Sequence, residues 1–308
     1  MSEALTTIEN FDENSLPDLD VVTLAALELF EKTNPPVLNV NRFRHPLILG
    51  SGNAIVAARA IFSHTQAVFA DESNYESAVF AGKTDGAYIF SASGSKHAVT
   101  FAKALDQKGV PTVLVTNNPK SPAAAAVPNM DVLVFPKNRE PYTYNASTYM
   151  GMFLSATGES PSAIKHFILS SVVPAIPKDI GEYEAYYFLL PEKCSSIASM
   201  FVTKFDELFG SKLLGRAFTF EQSKHAKTVI SNEKELFISF GKENTTFGHN
   251  RLHIPLPDNA DYAAMMAIGY FVVGYIQKNK PPYFKDSIGA YMQEASKLFG
   301  NELTVIVE

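Results

Sequence analysis

The chain has 308 residues, 46% hydrophobic and 19% charged, with a formal net charge of −6. This is a globular composition, long enough for one or two cores, and with no Lys/Arg run it excludes a nucleic-acid groove. One cysteine, Cys194, rules out an internal disulfide and fits a reducing cytoplasm; nothing beside it in sequence would activate the thiol. The N-terminus, "MSEALTTIENFDENSLPDLD", is acidic and lacks the basic and apolar regions of a signal peptide. The longest uncharged run, Tyr262 to Ile276, is too short to span a bilayer and reads as a buried helix. A soluble cytoplasmic protein with no membrane partner is expected.

The first predicted element is an amphipathic helix over 20–34, stopped by Pro35 and Pro36. Strands and helices then alternate. "PLILGSG" reads as a strand and "NAIVAARAIF" as a helix; "QAVFADE" as a strand and "ESAVFAG" as a short helix. "GAYIFSAS" is a strand whose helix runs to Lys108, "PTVLVTNN" and "DVLVFPK" are two more strands, and "ASTYMGMFLSAT" is a closing helix. Short apolar strands separated by helices imply a parallel sheet covered on both faces. After "GESPS" the pattern restarts. A helix is expected over 161–175, then a linker, "IPKDIGEYE". The strands "AYYFLLPE", "GRAFTF", "KELFISFG" and "RLHIPLP" follow, with the helices "SSIASMFVTKFDELF" and "DYAAMMAIGYFVVGYIQ". The halves share a build without clear sequence identity.

One junction is chemically pointed. A strand ends by delivering Ser91, Ser93, Gly94 and Ser95 to the start of a helix. Ligands of an open parallel sheet sit beyond the carboxyl ends of its strands. A helix start offers unpaired N–H groups and the positive end of the dipole, which suits phosphate. The plainer reading is a serine N-cap. A second glycine turn, "LILGSGNAIVAA", carries Gly50, Ser51, Gly52 and Asn53, with Asp71 or Glu72 about twenty residues on. The dinucleotide fingerprint fails there, because Ile55 stands where Gly or Ala is required. His249 and His253 are spaced by four, but their segment alternates like a strand and no other ligand completes a metal set.

Together these motifs resemble the SIS (sugar isomerase) domain, which occurs in pairs in phosphosugar isomerases. The resemblance covers residues 37–290: "LGSGNAIVAA", "FADES", "FSASGSKH", "VPTVLVTNNPKSPAAAAVPNMDVLVFP" and "EPYTYNASTYMGMF" follow the family's order. It implies an α/β fold of two flavodoxin-like three-layer αβα domains with mainly parallel sheets. The expected divisions are an N-terminal acidic segment and helix over 1–36, a first domain over 37–158, and a second over 159–308 with C-terminal helices. By resemblance the phosphate lies against Ser91, Ser93, Ser95, Ser147 and Thr148. Lys96 stands at the loop's last hydroxyl position, and Tyr149 where several relatives have lysine.

Aldose–ketose isomerisation through a cis-enediol needs a carboxylate base and a group that opens the ring. "FDEL" and "TFEQSKHA" resemble the segments that supply these groups in archaeal phosphoglucose/phosphomannose isomerase and in the isomerase half of glucosamine-6-phosphate synthase. The resemblance assigns Glu207 as base and His225 as ring opener, with Ala226 in place of the usual glycine. Lys285, one place from the family's lysine, would polarise the open-chain oxygen. No cofactor and no metal are implied. A homodimer with a shared active site is expected, because this histidine often reaches the partner's site in relatives. The expected substrates are glucose 6-phosphate and fructose 6-phosphate. The alternatives are a non-catalytic phosphosugar-binding regulator, or a deglycase or aminosugar-phosphate isomerase.

Overall fold

The computed structural model describes residues 3–300 and 302–308. Met1 and Ser2 of the acidic segment lie outside them. The chain divides into two compact units, one of residues Thr33–Lys137 and Gly151–Gly158, the other of Met1–Lys32, Asn138–Met150 and Glu159–Glu308.

The smaller unit is built on five parallel strands: β1 (Pro46–Gly50), β2 (Val68–Ala70), β3 (Gly86–Phe90), β4 (Thr112–Thr116) and β5 (Asp131–Val134), in the order β2-β1-β3-β4-β5. This is the flavodoxin-like order, whose switch point falls between β1 and β3. Every residue of β1 and β3 is buried, as central strands covered on both faces require. Alternate side chains serve opposite layers. Leu47, Leu49, Ile89 and Leu114 pack with Phe101 and Leu105 of the helix His97–Gln107. Tyr88 and Phe90 meet Phe62, which ends the helix Asn53–Ile61.

The larger unit holds four parallel strands: β7 (Ala185–Leu190), β8 (Leu214–Thr219), β9 (Glu235–Phe240) and β10 (Asn250–Ile254), in the order β10-β9-β7-β8. Read from the other edge this is the order of β2-β1-β3-β4, so the expected repeat of build is present in the topology. A separate two-stranded antiparallel ribbon joins β6 (Glu140–Pro141) to β11 (Ile306–Val307). The helix Tyr262–Lys278 is almost wholly buried, which explains its uncharged sequence. Its Gly274 admits the chain start of the helix Leu19–Lys32, because a Cβ there would stand 1.9 Å from the Asp20 amide nitrogen. Gln277 fixes that crossing: its Oε1 accepts the Leu19 N–H at 3.0 Å and its Nε2 donates to the Tyr144 hydroxyl at 2.8 Å. Glu159 caps the opposite end by accepting N–H groups of Asp261, Ala263 and Ala264 at 2.8–3.2 Å.

Two local expectations change. The helix expected over 161–175 is interrupted by a π turn at Ile168–Val172, between Pro161–Phe167 and Val173–Ala175. Pro174 removes a donor and crowds the carbonyl four residues back, and a widened turn relieves both. The acidic N-terminus contains a helix, Glu3–Asn10, in which Leu5 and Ile8 are buried and the Leu5 N–H donates to Glu28 at 3.1 Å.

Candidate active site

Two features of the molecule carry the expected site residues, one in each unit. In the smaller unit, β1 pairs with β3 so that Gly50 lies opposite Phe90, and the loops after both strands emerge side by side. One loop holds Gly50, Ser51, Gly52 and Asn53; the other holds Ser91, Ser93, Gly94, Ser95 and Lys96. Gly52 (φ 54°, ψ −134°) and Lys96 (φ 50°, ψ −118°) precede their helices in the same backbone conformation. That conformation suits glycine and strains a lysine. No side-chain cap closes either helix.

The serine loop is held from behind by the segment after β4. The Ala92 carbonyl accepts the Asn117 N–H and the Thr116 hydroxyl, each at 2.9 Å. The Ser93 carbonyl accepts Asn118 Nδ2 at 3.1 Å, and the Gly94 carbonyl accepts the Ala123 N–H at 2.9 Å and the Ser121 hydroxyl at 3.1 Å. Three successive carbonyls are therefore tied back. Ser91 Oγ accepts the Gly94 N–H at 3.1 Å, while the Ser93 and Ser95 hydroxyls share a 2.7 Å hydrogen bond. Gly94 is required: at φ 62°, a Cβ would lie 2.0 Å from Ser121 Oγ. Hydroxyl donors, a fixed loop and an uncapped helix start form an arrangement suited to an anion.

In the larger unit, Glu207 lies near the end of the helix Ala198–Phe209. A carboxylate at the negative end of a helix needs a cation. Lys204, one turn earlier and with no side-chain exposure, meets Glu207 Oε2 at 2.5 Å. Its Nζ also donates to the Thr143 carbonyl and stands 5.5 Å from the centre of the Tyr270 ring. Thr143 takes φ 74°, a strained left-handed turn that presents this carbonyl. Burial pushes the Tyr149 and Tyr270 hydroxyls up, and the Glu207 charge adds to the effect. A cavity of about 540 Å³ opens beside Glu207. Phe209, Phe284, Ile288 and Tyr291 form its walls, and Asp206, Glu207 and Lys212 are its charged groups.

Lys204 was missed by sequence reasoning. Its signal is spacing: Phe201, Lys204, Phe205 and Leu208 share one helix stripe, and a lysine on an apolar stripe needs a buried partner.

The remaining expected residues lie elsewhere. His225 is exposed in the turn after Phe220–Ser223, and Ala226 adopts φ 58°, the conformation a glycine would favour. The segments carrying Glu207 and His225 are separated by β8, six residues or about 20 Å long. Lys285 is paired with Asp18 at 2.8 Å and does not line the Glu207 cavity, although Tyr283, Phe284 and Ser287 do. Ser147 and Thr148 belong to the larger unit and are 0% and 2% exposed. The Ser147 hydroxyl donates to Glu140 and accepts the Asn138 N–H at 3.0 Å. Glu140 also accepts the N–H groups of Ala146 and Ser147 at 2.7 Å, so this cluster caps a helix, and the Ser147 hydroxyl spends its one proton on Glu140. Cys194 is buried, and burial pushes its thiol up to about 12. Among the described residues no group of three or more His, Cys, Asp or Glu could hold a metal ion, and no helix is long and apolar enough to cross a membrane.

The fold is that of several solved sugar-phosphate enzymes. Tagatose-6-phosphate ketose/aldose isomerase from Escherichia coli matches with a TM-score of 0.59 at 12% identity, over 91% of each chain. Glucosamine-6-phosphate deaminase from Thermotoga maritima matches with a TM-score of 0.58 at 17% identity, over 92% of this chain and 97% of that one. A hypothetical protein from Thermus thermophilus matches with a TM-score of 0.60 at 14% identity, over 97% and 90%. No protein-family profile and no curated protein matches the sequence. The chain is thus an α/β protein with mainly parallel, flavodoxin-like sheets, similar in fold to phosphosugar isomerases and a deaminase.

Proposed function

We propose that this protein is a phosphosugar aldose–ketose isomerase that moves a proton between C1 and C2 through a cis-enediol. The observation that carries the reading is the serine loop at the β1/β3 switch point, tied back through three carbonyls and followed by an uncapped helix. The phosphate is assigned to Ser91, Ser93, Ser95 and the helix start, with Gly50 to Asn53 alongside. Ser147 contributes by the bond of its hydroxyl to Glu140 rather than by donating to phosphate.

Glu207 is the proposed base. Its carboxylate removes the C2 proton of the aldose and returns it to C1 while the proton on O2 passes to O1, and Lys204 holds the carboxylate in position. His225 is the proposed ring opener. The length of β8 favours delivery across a dimer, with Glu207 completed by His225 of the partner subunit. Lys285 takes no part at the Glu207 wall in this proposal. Fold relatives named as a ketose/aldose isomerase and a glucosamine-6-phosphate deaminase support the reaction class. Glucose 6-phosphate and fructose 6-phosphate are the proposed pair.

A coupled assay of glucose 6-phosphate formation from fructose 6-phosphate, run in chelator, tests the reading. Turnover that disappears in Glu207→Gln supports it. Full activity in that variant would remove Glu207 from the mechanism. Sugar-phosphate binding without turnover would favour a phosphosugar-binding regulator.

A further inference from the structure

The proposed reaction leaves one task without a residue. When Glu207 takes the C2 proton, charge builds on O1, and a proton must reach O1 while O2 gives one up. Lys285 is held by Asp18 and does not line the cavity beside Glu207. Lys204 has no side-chain exposure, so it meets Glu207 and not a ligand. Among the described residues, Lys212 is the only cation that lines this cavity, and it is exposed. Its ammonium has no ion-pair or hydrogen-bond partner among the described residues, although Asp206 and Glu207 stand on the same lining.

The chain around Lys212 is built to keep it there. The helix Ala198–Phe209 ends at Gly210, whose backbone takes φ 53° and ψ −135° and whose N–H donates to the Asp206 carbonyl. Nothing lies within 4 Å of a Cβ added at Gly210, so the backbone conformation, and not crowding, calls for glycine. The turn Gly210–Lys212 then enters Leu213, which is buried, and β8. Within five residues of Glu207 the chain has turned and brought Lys212 back to the cavity on which Glu207 opens. Phe209, Phe284 and Ile288 are buried walls of that cavity, so charges at its reacting end act with less screening than in water.

We infer that Lys212 is the second catalytic group and carries the proton between the two oxygens. Its ammonium gives a proton to O1 as the C1–O1 double bond opens. The resulting amine takes the O2 proton as the C2–O2 double bond forms. Glu207 meanwhile moves the carbon-bound proton from C2 to C1, so both residues end as they began and no co-reactant is consumed. The inference rests on the proposed function, because Lys212 acts on the sugar that Glu207 serves.

The test uses the full chain and two variants at this exposed position, Lys212→Ala and Lys212→Arg. Conversion of fructose 6-phosphate by Lys212→Ala is expected to fall about 100-fold in kcat, the lower end of the range for proton transfer by a positioned side chain. Its affinity for fructose 6-phosphate by calorimetry is expected to stay within threefold, and its melting temperature to stay unchanged. Lys212→Arg keeps the charge but holds its protons too tightly to pass one on, and is expected to be as slow as Lys212→Ala. A kcat of Lys212→Ala within threefold of the unaltered protein overturns the inference and leaves the isomerase reading intact. Full activity in Lys212→Arg also overturns it, since a fixed charge would then suffice. Loss of sugar-phosphate binding in Lys212→Ala overturns it as well, by making Lys212 a binding residue. Absence of turnover in the unaltered protein removes the proposed function, and the inference with it.

Discussion

The two sheets share a strand order, yet their corresponding switch points have different chemistry. After β3 the chain makes the serine loop and enters an eleven-residue helix whose start is uncapped. After β9 it makes only the loop 241–249 and goes straight into β10. That loop is closed by its own side chain: Asn244 Oδ1 accepts the N–H groups of Thr246 and Phe247 at 3.1 and 2.9 Å, and its Nδ2 donates to the Phe247 carbonyl at 2.7 Å. The segment after β9 thus brings no helix start to the second switch point, and its polar groups answer one another. Strand order supplies a place for a ligand, but the element after the strand decides whether donors point into it.

The largest test of this division of labour is in the larger unit. Glu207→Gln is expected to lower turnover about 10³-fold, within the usual range for a general base, while thermal stabilisation by fructose 6-phosphate persists. It also leaves Lys204 buried without its counter-charge, at a cost of about 3 kcal/mol. The double variant Glu207→Gln/Lys204→Met is expected to recover the melting temperature and none of the turnover. Recovery of turnover would show that the pair matters only for stability.

Glycine substitutions compare the two switch points directly. Gly94→Ala meets Ser121 at 2.0 Å in a left-handed conformation, and is expected to lower stability by about 2–3 kcal/mol and abolish sugar-phosphate binding. Gly241→Ala, at φ 73° with Leu256 Cδ1 3.2 Å away, is expected to cost about 1 kcal/mol and leave binding unchanged. Denaturant midpoints and calorimetry measure both; equal effects on binding would end the distinction. Lys96→Gly removes a strained backbone and is expected to stabilise by about 1 kcal/mol, read as a raised urea midpoint at constant slope. The smallest effect is alkaline. The Cys194 thiol is raised in the folded state to about 12 by burial, so the stability this contributes is full below the ordinary thiol range and is lost as the pH rises toward 12. Native protein at pH 8 should resist thiol alkylation until unfolded.

Much of the first sheet was legible because β1, β3 and β4 are apolar runs punctuated by Gly, Ser and Asn, and a buried strand has no other way to be written. The helix Glu3–Asn10 was not, since its burial rests on few apolar side chains and on a distant Glu28. In the candidate site, the serine loop was legible from local spacing. The Lys204 pairing, the Asp18 contact of Lys285 and the Glu140 cap of Ser147 were not, because each is decided by what packs against it.

The crossing of Leu19–Lys32 with Tyr262–Lys278 sets a constraint on biosynthesis. Val22, Ala25, Ala26 and Leu27 are fully buried in the folded protein. The partner helix leaves the ribosome only after both sheets have been made, roughly 10–50 s later at about 5–20 residues per second. Throughout that interval the strands of the first sheet can pair, while the face of Leu19–Lys32 that Tyr262–Lys278 will cover stays open. That waiting stretch is where a holding chaperone would be expected to bind.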